Sequence, residues 1–81
     1  MAEDPKVGEL YTHRQRGGKY KVVMIGSLEW TLDKIMVCYV CLETGKGYIR
    51  PLNIEDKISP RSSAWNELTK EEEVRFIKIN T

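Results

Sequence analysis

"IMVCYVCL", residues 35–42, decides the fold, because it reads either as half of a metal or redox site or as the middle of a sheet. Cys38 and Cys41 stand three positions apart. On a strand, successive side chains alternate faces, so these two thiols point to opposite sides and cannot close on one ion. Zinc also asks for four ligands, and beyond these two cysteines the chain offers a single histidine, His13. A thioredoxin-type dithiol needs a helix N-terminus to lower its thiol pKa, whereas the flanking Ile, Met, Val, Tyr and Leu are strand formers. The stretch is therefore expected to be a buried strand whose cysteines pack as small hydrophobes, with no metal and no cofactor. Apolar residues on both of its faces place it centrally, covered on both sides.

Outward from this strand the chain keeps the same period. Lys19 to Ser27, "KYKVVMIGS", alternates, with Tyr20, Val22 and Met24 on one face and Lys21 and Val23 on the other. Leu10 to Arg14 begins a strand with Tyr11 and His13 on one face, and Gly17-Gly18 supplies the positive φ of a tight hairpin. "LEWTLDK" reads as a wide turn carrying Trp30. After residue 42, "ETGKG" is a turn, and Gly47 to Leu52 returns as a shorter strand that Pro51 ends or confines to an edge. Val74 to Ile79 makes a fifth strand. Between them the chain is irregular, with one short helix predicted near Ser63 to Leu68 and capping-box spacing at Thr69 and Glu72. The fold class is all-β: a small five-stranded SH3-like barrel or strongly bent antiparallel sheet, with at most one short helix. A five-strand OB-like arrangement is the alternative, for which the chain is short. Residues 1–7, with Pro5 and three charges, read as a flexible N-terminal arm, and 8–81 as a single domain.

Eighty-one residues support one small core. The longest apolar run, residues 35–42, is too short to span a bilayer, and "MAEDPKVGEL" lacks the apolar segment of a secretory signal. Two cysteines without such a signal fit a reducing cytoplasm. A net charge of +1 creates no global field that demands nucleic acid or membrane. The charge is uneven, however: no acid occurs from Thr12 to Leu28, where Arg14, Arg16, Lys19 and Lys21 cluster. That cluster is either a solvated hairpin tip or a binding patch. A small barrel also gains by burying an edge strand, so a homodimer is expected.

No nucleophile elbow, P-loop or zinc-protease motif occurs. An enzyme using His13 as a base is the most distant reading. Tyr11, His13, Trp30, Tyr48 and Arg50 have binding character instead, and Arg50 matters most because it shares a strand face with Tyr48 and Leu52. Its guanidinium is either paired internally, with Asp33, Glu29 or a carbonyl, or presented as a planar fork to an anion beside a stacking ring. The expected function is a non-enzymatic binding module for a nucleotide-like or other anionic planar ligand. Tyr11, Tyr48 or Trp30 would stack, while His13 and Arg50 would contact the anion. The alternative is a protein-interaction adaptor that uses an edge strand or an aromatic groove, including the Trp65 segment.

Gly8, Tyr11, His13, Gly18, Tyr20, Val22, Thr31, Leu32, Arg50, Pro51 and Leu52, with Arg75 and Phe76, follow in an order that resembles a small domain family of bacteria and their phages. Its pattern runs Gly-x-Tyr-x-His, a glycine turn, Thr-Leu-Glu, a valine-rich strand and Trp-Val-Arg-Pro-Leu. The likeness covers residues 8 to 56. It departs at Trp30, where the family has an acid, at Tyr48, where it has tryptophan, and over Ser59 to Glu73, which has no counterpart. The resemblance implies a compact all-β domain. For a phage protein, it also extends the binding reading to sequestering a host signalling nucleotide.

Overall fold

The computed structural model describes residues 4–29 and 31–79. Its spine is a long hairpin of β2 (Gly17–Leu28) and β3 (Thr31–Cys41). On one side of that hairpin come β1 (Leu10–His13) and then β5 (Phe76–Lys78), and on the other β4 (Gly47–Pro51). All neighbours are antiparallel, in the order β4-β3-β2-β1-β5. Of the two expected forms, the molecule adopts the antiparallel sheet. It is not closed into a barrel, since closure requires the outermost strands to pair. Here β4 and β5 remain edges, and residues 52–75 run between them. Trp65 N–H donates to the Pro51 carbonyl (2.6 Å) and Asn66 N–H to that of Leu52 (2.9 Å), which ties this segment to the end of β4.

The β2–β3 connection is tighter than the wide turn expected, because the strands run on to Leu28 and Thr31. Trp30 lies outside the described residues. A second difference lies inside β2. Val22 pairs with Tyr39 and Met24 with Cys38, so Val23 is an extra residue without a cross-strand partner. This bulge resets the alternation. Tyr20, Val22 and Ile25 pack on the inner face, and Met24, expected beside Val22, turns outward and is 58% exposed.

The inner face is closed by aromatic rings in place of a helical layer. Trp65 stacks on Phe76 (3.8 Å between centroids, 3° between planes) and meets Tyr11 and Tyr39 edge-on at 5.1 and 5.2 Å. With Val22, Val37 and Leu52 these rings form the core. The outer face is only partly covered. Met36 is buried and Cys38 and Val40 are half-buried, but neighbouring Ile49 is 64% exposed. The cover expected on both sides of β3 is thus complete on one side alone, since residues 52–75 cross the inner face.

Among the described residues the one helical element is a 3-10 turn at Ile54–Asp56. Buried Asp56 secures it by accepting from the Ile35 and Asn53 N–H groups, both at 3.1 Å. The short helix predicted near Ser63 to Leu68 does not form, because the Trp65 and Asn66 N–H groups are spent on distant carbonyls. At Thr69 the capping-box spacing serves a turn instead. Its hydroxyl accepts from Glu73 N–H (3.2 Å), and Glu72 takes a positive φ of 61°. Near the N-terminus, Pro5 is buried and Asp4 accepts from the Asn66 side chain at 2.9 Å.

Candidate functional site

His13 ends β1 on the inner face, buried, with its ring edge-on to Phe76 at 5.0 Å. Its Nδ1 accepts from the Gln15 and Arg16 N–H groups (3.2 and 3.1 Å), which folds the β1–β2 turn around the ring. A neutral imidazole accepting at Nδ1 carries its hydrogen on Nε2. Burial, followed by the charges of Arg50, Arg16 and Arg75, holds the His13 pKa below its ordinary value. The same turn sets Arg16 on the rim of the inner face.

Arg50 reaches this place from β4, opposite Val37. Its Nε donates to the Tyr39 hydroxyl at 3.3 Å, and its guanidinium lies 5.0 Å from the Phe76 ring centroid, in cation–π range. Its Nη1 is buried and has no hydrogen-bond acceptor among the described residues. Among the described residues no ion pair joins Arg50 to Asp33 or Glu29. Asp33 instead lies 4.0 Å from Lys34 Nζ.

Tyr39 and Tyr48 stack at 5.5 Å, and Tyr20 stands edge-on to both. Burial raises the Tyr20 pKa, so its phenol stays protonated. Together with His13, Arg16 and Arg50, these rings line a narrow crevice. It borders a shallower cleft of about 250 Å³ that shares Arg16, Tyr39, Tyr48 and Arg50 and adds Ser62 and Ser63. No aspartate or glutamate lines either space among the described residues. The arrangement concentrates positive charge and N–H donors beside aromatic surface, with no carboxylate in its described lining to neutralise them.

Of the residues singled out from sequence, His13, Tyr48 and Arg50 come together here. Tyr11 does not. It sits at the far end of β1, where Trp65 covers it, and its hydroxyl donates to Glu9 at 2.8 Å. It lines a separate hollow of about 280 Å³ with Trp65, Val74 and Phe76. Trp30 lies outside the described residues. Sequence reasoning missed Tyr39, Tyr20 and Arg16 as site residues. Arg16 belonged to the noted cationic cluster, but nothing local showed that the turn would aim it at Arg50. Tyr39 was hidden within a strand that reads as core.

The two cysteines face opposite ways. Cys38 lies on the outer face between Met24 and Ile49, and burial raises its thiol pKa. Cys41 lies on the inner face opposite Tyr20, and the Thr44 hydroxyl with nearby backbone N–H groups lowers its pKa. They do not meet on one metal. No helix among the described residues is long and apolar enough to cross a membrane. Set against known proteins, the chain matches no family model, no curated protein and no solved structure.

Proposed function

We propose that this protein is a non-enzymatic binding module that takes a small anionic, nucleotide-like or otherwise planar ligand into the cleft around Arg50. The observation that carries this reading is the buried Nη1 of Arg50, an ionised donor with no acceptor among the described residues. Buried donors are nearly always satisfied, and leaving one unmet costs about 1–3 kcal/mol, more for a charged group. A ligand anion supplies the missing acceptor once the cover over Nη1, which closes it to solvent, shifts on binding. Arg16 adds charge, His13 adds a donor from the narrow crevice that adjoins the cleft, and the Tyr48 ring offers a surface on which a planar group stacks. His13 works here as a donor and not as a base, since its Nδ1 already accepts two backbone N–H groups. The module is cytoplasmic and needs no cofactor. In a phage setting it would sequester a host signalling nucleotide.

Thermal unfolding with a panel of nucleotides and simple anions tests this reading. A saturable rise in Tm is expected, lost in Arg50→Met. A flat response across the whole panel overturns it. The adaptor reading has its own support in the partly uncovered outer face, where Met24 on β2 and Ile49 on the edge strand β4 stand exposed on either side of Cys38. It predicts self-association or partner binding that Ile49→Lys abolishes, read by light scattering.

A further inference from the structure

The cleft around Arg50 is specific about charge and shape as well as sign, and we infer that it takes the dianionic phosphoryl group of a small phosphomonoester in preference to a carboxylate or a phosphodiester. This rests on the anion-binding reading above and narrows its ligand. Charge supplies the first ground. Two guanidinium groups, Arg16 and Arg50, line the cleft without a carboxylate among its described lining, and neutral His13 adds no third charge. A monoanion leaves one cation uncompensated, and a dianion compensates both. A phosphomonoester carries between about 1.5 and 2 negative charges near pH 7, whereas a carboxylate or a diester carries one.

Shape supplies the second ground. Donors enter from three separate elements: Arg50 from β4, Arg16 from the β1–β2 turn and Ser63 from the covering segment. The Arg50 Nε is already committed to the Tyr39 hydroxyl and Nη1 is closed to solvent, so the guanidinium meets a ligand through its terminal nitrogens only as the cover over Nη1 shifts. A planar carboxylate satisfies one fork in its own plane. Donors spread over three elements suit a tetrahedral group with three terminal oxygens. Size sets the limit on the remainder. About 250 Å³ falls below the roughly 300–1,000 Å³ of pockets that enclose drug-sized ligands, so the cleft covers the phosphoryl group with one ring or short chain, and anything larger extends into solvent.

Three probes with a common ring separate the cases: phenyl phosphate, benzoate and diphenyl phosphate, titrated into the intact protein by calorimetry at pH 7.5. Phenyl phosphate should bind at least about tenfold more tightly than either of the others, the scale of one additional charge-assisted contact. Arg16→Gln, a change at an exposed position, should weaken phenyl phosphate more than benzoate and so shrink that preference. By ³¹P NMR, the second ionisation of bound phenyl phosphate should fall below that of the free ester. Equal affinity for benzoate, or a tighter diester, overturns the phosphomonoester assignment and leaves anion binding standing. Failure of all three probes and of inorganic phosphate overturns both.

Discussion

At Glu9 three donors converge on one carboxylate: Lys78 Nζ at 2.6 Å, the Lys6 N–H at 2.7 Å and the Tyr11 hydroxyl at 2.8 Å. Hydrogen bonds from Lys78, then Tyr11, then the Lys6 backbone bring its pKa down to about 2. Because the folded value lies below the unfolded one, the stabilisation is complete above the ordinary carboxylate range near 4.3 and is lost as pH falls toward 2. Thermal unfolding between pH 5 and 2 should therefore decline less steeply in Glu9→Gln than in the wild type, in a window set by the principle of linkage. Parallel curves would show that Glu9 is not so held. His13 has the same sign for a different reason, since burial disfavours its charged form. Its contribution is complete above its ordinary value near 6.5 and fades as pH falls through the folded value. A phosphoryl group beside it reverses part of the shift. The His13 ring resonances should thus titrate at higher pH with phenyl phosphate than without, and an unchanged midpoint would place the anion elsewhere. His13 and Arg50 were legible as candidates because cationic and aromatic residues on strand faces stand out. Their meeting was not, because it depends on two N–H groups of the 14–16 turn closing on Nδ1.

Within β2, the bulge at Val23 explains where simple alternation stops describing the strand. Val22 is fully buried, whereas Met24 is mostly exposed. Val22→Ala should cost on the order of 2 kcal/mol in denaturant unfolding, and Met24→Thr less than about 0.5 kcal/mol. An unbulged strand would make the two substitutions comparably costly. The existence of all five strands was readable, since period-two alternation and glycine turns are local signals. The bulge leaves no such mark, because Val22, Val23, Met24 and Ile25 are all apolar and either phase satisfies the pattern. The helix expected at 63–68 fails for a related reason. What decides that segment is the distant pair of carbonyls at Pro51 and Leu52, which the local sequence does not reveal.

For the molecule as a whole, the choice between a barrel and an open sheet turned on Trp65. Its stacking on Phe76, and the passage of its segment over the inner face, supply the cover that barrel closure would otherwise provide. The same cover brings Ser62 and Ser63 to the cleft and leaves Arg50 half-buried, its Nη1 closed to solvent, without a counter-ion among the described residues. Fold and site thus share one cause, and the central claim is that Arg50 is placed for a ligand and not for the fold. Arg50→Met tests it most directly, with stability and binding measured on the same sample. Removing a half-buried cation that no carboxylate among the described residues pairs strands no opposite charge there, and the lost cation–π contact with Phe76 is worth only about 0.5–2 kcal/mol. The account predicts a folded Arg50→Met protein within about 2 kcal/mol of wild type in urea unfolding, with no detectable phenyl phosphate binding. A loss of about 3–5 kcal/mol, the cost of breaking a buried ion pair, or a folded variant that binds phenyl phosphate as well as wild type, would contradict it.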